Sequence, residues 1–131
     1  MPPSAKTPLR CLVADDEPQI GALLREALAP SGYAADVVQD GESAARKLEE
    51  HPYALLVSDV MMPHKSGVEL VRELRGRGQG IPIVLMSSFL SDETLRACRT
   101  LKRIAFLQKP FSLTDLRRAI SRAMEPASSN P

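Results

Sequence analysis

Short apolar runs alternate along the chain with segments in which apolar residues recur three or four positions apart. Apolar runs of about four to eight residues bounded by turn signals are typical of buried strands, whereas the longer spacing is typical of one face of a helix. Five strands are therefore predicted, at about residues 9–14, 33–38, 54–58, 81–86 and 104–108.

A helical segment follows each predicted strand, at about residues 18–28, 41–50, 67–74, 91–101 and 113–123. Pro18 suits the first turn of the first helix, and Pro30 with Gly32 ends it. Ser112 and Asp115 resemble a capping box at the start of the last helix.

Five strand–helix units whose strands are apolar on both faces predict a parallel sheet covered by helices on both sides. Because crossovers between parallel strands are right-handed, the expected fold is a doubly wound α/β sandwich of three layers. The units fill residues 9–124 as one domain. The flanking segments 1–8 and 125–131 are rich in Pro, Ser and Ala, and we expect them to be flexible. The second is either a simple terminus or the stump of a linker.

The charge balance and cysteine usage exclude several classes of protein. Lys plus Arg number 17 and Asp plus Glu 16, so the net charge of +1 argues against a protein that coats nucleic acid or an anionic membrane. Cys11 and Cys98 form no paired motif, and each is predicted to be a small buried residue in a reducing cytoplasm. We expect neither a transmembrane helix nor a signal peptide, because no apolar run is long enough to cross a membrane and the N-terminal residues 1–4 lack an apolar core.

Polar side chains stand where the predicted strands end. Asp15 and Asp16 follow the first strand and Asp59 the third, while Ser87 ends the fourth and Lys109 follows the fifth. The carboxyl ends of parallel strands form the ligand crevice of an open sheet, so these side chains are expected to meet. Individually, each residue type also fits a helix cap, a turn or a solvated surface. Their joint occurrence at one edge favours a functional site.

Three neighbouring carboxylates repel one another unless a cation lies among them. Mg²⁺ prefers oxygen ligands and often binds through a few carboxylates together with a phosphate, whereas a zinc site would need thiolates or imidazoles. A carboxylate can also attack phosphorus to give an acyl phosphate. We predict Asp59 as the nucleophile, because it stands alone on the central strand, and the adjacent Asp15 and Asp16 as a metal pair.

Several motifs resemble the receiver domain of two-component response regulators. They are Leu-Val-Ala-Asp-Asp-Glu-Pro at 12–18, Val-Ser-Asp-Val-Met-Met-Pro at 57–63 with Gly67 downstream, Ile-Pro-Ile-Val-Leu-Met-Ser at 81–87 and Lys-Pro-Phe at 109–111. The resemblance covers about residues 9–124. It implies a flavodoxin-like sandwich in which five helices cover a five-stranded parallel sheet of order 2-1-3-4-5.

The resemblance implies that Asp59 accepts a phosphoryl group from a histidine kinase phosphohistidine or from a phosphotransfer protein. Asp15, Asp16, Asp59 and the backbone carbonyl of Met61 would bind Mg²⁺, for which Mn²⁺ could substitute. The domain would then catalyse only its own phosphorylation and dephosphorylation and would not act on a metabolite.

The resemblance also assigns the parts of a conformational switch. Ser87 and Lys109 would bind the phosphoryl group, and Phe106 would be the aromatic residue that moves into the space left by the Ser87 hydroxyl. The bond before Pro110 is expected to be cis, which would direct Lys109 into the site.

Three departures from the family pattern carry further expectations. His64-Lys65-Ser66 replaces the common Gly-Met-Asp, and His64 is interpreted as an exposed loop residue or a partner contact. The bulky Phe89 is expected to shield the acyl phosphate from water. Lys102-Arg103 replaces a Gly-Ala pair, so the fourth helix is expected to run longer or to be less ordered.

The last two helices carry a basic face that is either a solvated surface or a docking surface. As a docking surface it would bind an acidic downstream protein or effector domain, or a second copy of the chain as a homodimer. The residues concerned are Arg96, Arg99, Lys102, Arg103, Arg117, Arg118 and Arg122.

The sequence leaves other functions open beside that of a phosphoacceptor. The main alternative is a pseudo-receiver, a protein-binding module that keeps the fold without using phosphate. A phosphohydrolase of the haloacid dehalogenase type would want Asp-x-Asp after the first strand, where this chain has Asp15-Asp16. The sequence lacks a Gly-rich phosphate loop and a helix-turn-helix pattern, so we expect no nucleotide site, no direct contact with nucleic acid and no membrane contact.

Overall fold

The computed structural model describes residues 8–125, in which five strands alternate with five α-helices, and a short 3-10 helix, Ala29–Ser31, follows the first α-helix. The elements are β1 Leu9–Ala14, α1 Pro18–Leu28, β2 Tyr33–Val38, α2 Gly41–Glu50, β3 Leu55–Asp59, α3 Gly67–Gly76, β4 Ile83–Ser87, α4 Asp92–Cys98, β5 Ile104–Gln108 and α5 Leu113–Met124. The predicted flexible segments 1–8 and 125–131 lie, apart from Pro8 and Glu125, outside the described residues.

The five strands form one parallel sheet in the order β2-β1-β3-β4-β5, which confirms the predicted fold. Side chains alternate across the sheet. On β3, Leu56 packs into the core shared with α2, α3 and α4, and Val57 packs into the core shared with α1 and α5. Every residue of β3 and β4 is buried, so the residues that end these two strands stand on a rigid frame.

The fourth helix differs from the prediction. It spans Asp92–Cys98 and so ends before the predicted residue 101, and of the two alternatives, the expectation that it would run longer is wrong. The chain turns tightly here, because Leu101 N–H donates to Cys98 O and Arg103 takes a left-handed φ of 60°. The Arg75 guanidinium, from the end of α3, donates to Lys102 O at 3.0 Å and to Arg103 O at 3.3 Å. These hydrogen bonds fix the loop that follows α4, so the chain does not continue into further helical turns.

Several smaller predictions concern caps and burial. The Ser112–Asp115 capping box is present at the start of α5. Cys11 and Cys98 are both buried, and burial raises the pKa of the Cys11 thiol to about 12. β4 begins at Ile83 because Pro82 has no N–H to donate, although Pro82 O still accepts a bond from Leu56 N–H.

None of the helices within residues 8–125 is long and apolar enough to cross a membrane.

Candidate functional site

Four of the predicted polar residues lie at the carboxyl edge of the sheet. Asp15 follows β1, Asp59 and Ser87 are the last residues of β3 and β4, and Lys109 follows β5. Backbone hydrogen bonds extend the ladder at this edge, with Asp15 N–H donating to Val38 O at 3.0 Å and Lys109 N–H donating to Ser87 O at 2.8 Å. The sheet itself therefore positions these side chains.

The Lys109 ammonium lies among three carboxylates. Its Nζ is 2.9 Å from Asp15 Oδ2, 2.9 Å from Asp59 Oδ2 and 3.6 Å from Glu17 Oε1. The Asp15 side chain is fully buried and that of Asp59 is 9% exposed, so water screens these pairs little. Lys109 provides the positive charge that buried neighbouring carboxylates require.

The pKa values reflect the same arrangement. Burial raises the pKa of Asp15 above its ordinary value, against the opposing hydrogen bonds from Glu17 N–H and Lys109. Burial alone would lower the pKa of Lys109, but hydrogen bonds to Asp59 and Asp15 and their charges raise it above its ordinary value. Lys109 therefore stays charged throughout the physiological range.

Glu17 joins the site, although the sequence analysis did not single it out. Carboxylate oxygens of Asp15, Glu17 and Asp59 all lie within 4.8 Å of one another. The Glu17 N–H donates to Asp15 Oδ1 at 2.9 Å, and this turn brings Glu17 back over the site. The predicted ligand Asp16 is exposed and lines a cavity together with Glu17 and Asp59, but it is not part of this close group of carboxylates. Its role as a metal ligand stays a prediction.

The donor set suits a hard divalent cation. It consists of carboxylate oxygens of the buried Asp15 and Asp59 and of the exposed Glu17, and Asp59 and Glu17 line a cavity of about 590 Å³. These are the ligands that Mg²⁺ prefers, and an open cavity leaves room for the waters that Mg²⁺ retains. Met61 N–H donates to Asp59 Oδ1 at 3.1 Å, which keeps the Met61 backbone beside this carboxylate.

The Ser87 hydroxyl faces the loop between β4 and α4. It donates to Phe89 O at 2.8 Å and accepts from Phe89 N–H at 3.2 Å. The Phe89 side chain is 75% exposed and lines the same cavity as Asp59 and Met61. The entrance to the carboxylates is therefore open, with an apolar ring on one side.

The remaining predicted residues lie on or next to β5. Phe106 is partly buried and packs against the core on the α3 and α4 side of the sheet. The Lys109–Pro110 peptide bond is cis, the isomer expected from the family resemblance.

Known proteins resemble the chain over most of its length. The family model of the response regulator receiver domain matches residues 11–121. The transcriptional regulatory protein RprY of Bacteroides fragilis is 35% identical over 108 residues, which cover 82% of this chain and 46% of that protein. The response regulator MprA of a Mycobacterium species is 34% identical over 122 residues, covering 91% and 53%. The chain thus spans about half the length of the curated relatives it matches.

Solved structures share the fold. The chemotaxis protein CheY4 of Vibrio cholerae superposes with a TM-score of 0.80 at 26% identity, covering 88% of this chain and 98% of that one. The response regulator TrrA of Thermotoga maritima, solved in complex with Mg²⁺ and BeF, gives a TM-score of 0.75 at 31% identity, with 88% and 99% covered. The family model, the sequence relatives and the fold agree, and the chain belongs to the receiver domain family of two-component response regulators.

Proposed function

We propose that this receiver domain is a phosphoacceptor switch in which Asp59 takes a phosphoryl group from the phosphohistidine of a sensor histidine kinase or of a phosphotransfer protein. The observation that carries the proposal is the place of Asp59. This carboxylate ends a fully buried strand, contacts Lys109 Nζ at 2.9 Å and opens onto the cavity. Phosphoryl transfer mainly requires that the reacting groups are positioned and that their charge is neutralised. The Asp59 carboxylate beside the Lys109 ammonium meets both requirements.

In the transfer, an Asp59 carboxylate oxygen attacks the phosphorus in line with the phosphorus–nitrogen bond of the donor. The new oxygen–phosphorus bond forms as that bond breaks, and the electron pair returns to the imidazole nitrogen. Lys109 is placed to offset the charge on a phosphoryl oxygen. Mg²⁺, held by Asp15, Asp16, Asp59 and the Met61 carbonyl, would neutralise further charge on the transferred group. Mn²⁺, which also takes oxygen ligands, could substitute.

The switch follows from the charge added at Asp59. A phosphoaspartate offers three acceptor oxygens, and the Ser87 hydroxyl, which now bonds Phe89 O, can turn to donate to one of them. Phe106 would then move into the space that the hydroxyl leaves. The phosphoryl group shifts the domain between two conformations only as far as its contacts differ between them.

The output surface is proposed to lie on α4, β5 and α5. Arg118 and Arg122 of α5 line a groove beside Phe106 and Asp115. A downstream protein or an effector domain of a longer parent chain would dock there, and a homodimer through this face is the competing arrangement.

We propose that the chain catalyses no reaction besides its own phosphorylation and dephosphorylation. Its free buried thiols fit the reducing cytoplasm in which it would act.

Incubation with Mg²⁺ and acetyl phosphate tests the function. Intact-protein mass spectrometry should reveal the gain of one phosphoryl group, which disappears when a chelator removes the metal. A chain that gains no mass and whose NMR spectrum does not respond to Mg²⁺ would contradict the proposal, and the pseudo-receiver would take its place.

We expect Phe89→Ala to hydrolyse its acyl phosphate several times faster than the wild type. The exposed ring stands beside the cavity that holds Asp59, so its removal opens a path for water to the phosphorus. The decay of the phosphorylated mass after removal of the donor measures this rate. Leu23→Ala, which removes an exposed apolar side chain of α1, is the control. An unchanged decay rate in Phe89→Ala would rule out the shielding role.

A further inference from the structure

We infer that Lys65 is a positioning residue for the metal site, acting through an ion pair with Glu73 that fixes the loop carrying Met61. The inference rests on the proposed function, because it concerns the Mg²⁺ that phosphoryl transfer to Asp59 would use. Lys65 stands in the segment where the sequence departs from the family pattern.

The loop between β3 and α3 has an uneven set of anchors. At its ends, Val60 N–H donates to Met86 O at 2.8 Å and Gly67 N–H donates to Val60 O at 2.9 Å. Between these ends, His64 takes a φ of 70°, in the left-handed region that residues other than glycine seldom adopt. A loop with such a residue at its centre needs a further attachment to keep one conformation.

Lys65 provides that attachment through both its backbone and its side chain. Its carbonyl oxygen lies against Gly41 at the start of α2, where an added Cβ would come within 2.1 Å of it. Its ammonium forms an ion pair with Glu73 of α3, and the two side chains are only 24% and 28% exposed. The loop is therefore fastened to two helices at one residue.

The Lys65–Glu73 ion pair is part of a network of charged side chains that extends to α2. Arg77 contacts Glu73 at 2.8 Å and Glu49, near the end of α2, at 2.7 Å. The charges of Lys65 and Arg77 hold the pKa of Glu73 below its usual range, with the Lys65 hydrogen bond as the largest cause. Glu73 is thus held from both sides, and it makes a fixed partner for Lys65.

This attachment matters for the metal because Met61 lies four residues before Lys65 in the same loop. Met61 N–H donates to Asp59 Oδ1, so the backbone of Met61, whose carbonyl would bind the metal, is held beside the Asp59 carboxylate. Release of Lys65 frees the His64 turn to relax, which moves the Met61 carbonyl relative to Asp15 and Asp59. A divalent cation with strict ligand geometry then binds more weakly.

The direction in which the Mg²⁺ affinity changes in Lys65→Met distinguishes a positioning role of Lys65 from a simple effect of its charge. Lys65→Met keeps the side-chain length and removes a positive charge. By charge alone, a more negative protein binds Mg²⁺ more tightly. As a positioning residue, Lys65 predicts the reverse, a dissociation constant for Mg²⁺ that rises at least threefold, with most of the loss restored in Lys65→Arg.

Mg²⁺ titration followed by the backbone amide signals of Asp59 and Met61 in NMR spectra gives the dissociation constants without phosphorylation. Lys47→Met, which removes a partly buried lysine of the neighbouring α2, is the control for charge. Glu73→Gln should weaken binding as Lys65→Met does, and the double variant should lose no more than either alone. Metal-free unfolding in urea confirms that each variant is folded.

Equal or tighter Mg²⁺ binding by Lys65→Met would overturn the inference while wild-type binding still upholds the metal site. Additive losses in Lys65→Met and Glu73→Gln would also overturn it, because the two residues would then act separately. Absence of Mg²⁺ binding by the wild type would instead contradict the proposed function, and the inference would fail with it.

Discussion

Asp59→Asn is expected to abolish phosphorylation by acetyl phosphate in the presence of Mg²⁺. Asparagine keeps the shape of the side chain, but a neutral amide oxygen is a poor nucleophile toward phosphorus, and the amide has lost one of the oxygens that would bind the metal. Among residues 8–125, no other carboxylate has the same combination of burial, contact with Lys109 and access to the cavity. Intact-protein mass measured over time gives the rate, which should fall to the level of a reaction without Mg²⁺.

The matched control for this variant is Asp36→Asn on the edge strand β2. Asp36 accepts hydrogen bonds from Arg10 and Tyr53, away from the carboxylate group, and its replacement should leave the phosphorylation rate unchanged. A mass gain that persists in Asp59→Asn would place the acceptor elsewhere. Glu17 would be the first candidate, because its carboxylate is 3.6 Å from Lys109 and exposed.

Gly67→Ala should destabilise the domain next to the site. An added Cβ would lie 2.4 Å from Asp59 O and 3.0 Å from Val60 Cα, and neither backbone atom can turn aside as a side chain can. We expect a loss of about 1–3 kcal/mol in the free energy of unfolding, the range found for overpacked interiors. The displaced Asp59 backbone should also weaken Mg²⁺ binding. Urea unfolding measures the first effect and an NMR titration the second.

Gly76→Ala, at the other end of the same helix, is the control for Gly67→Ala. A Cβ at Gly76 meets no atom within 4 Å, and alanine is the better helix former. Its expected effect is a gain of up to about 1 kcal/mol in stability. Equal stabilities for the two variants would contradict the close packing of Gly67 against β3.

The pattern of apolar and polar residues alone predicts the strands of the sheet and the edge at which the site lies. The apolar runs identify all five strands. The signal is clearest for β3 and β4, in which every residue is buried. The edge of the sheet follows from them, since parallel strands all end on the same side, and this places Asp15, Asp59, Ser87 and Lys109 together. The strand order came from the family resemblance, because periodicity does not say which strands pair.

Contacts between distant residues could not be predicted in the same way. Glu17 reaches the site through a turn at Asp15, and only its position two residues after an aspartate hints at this. The end of α4 depends on Arg75, which lies 27 residues before the carbonyl of Lys102 to which it donates. The capping box formed by Ser66 and Glu69 is a local feature instead, and its Ser-x-x-Glu spacing is a signal that the sequence does carry.

The most direct test of the account locates the phosphoryl group on the wild-type chain, without any substitution. Borohydride reduces an acyl phosphate to an alcohol, so the modified aspartate is marked as homoserine after reaction with acetyl phosphate and Mg²⁺. Trypsin separates the candidates, because residues 48–65 contain Asp59 and residues 11–25 contain Asp15, Asp16 and Glu17. Homoserine at position 59, lost when the metal is chelated, is the predicted result. Reduction at a residue within 11–25, or no reduced residue at all, would contradict the assignment of Asp59 as the phosphoacceptor.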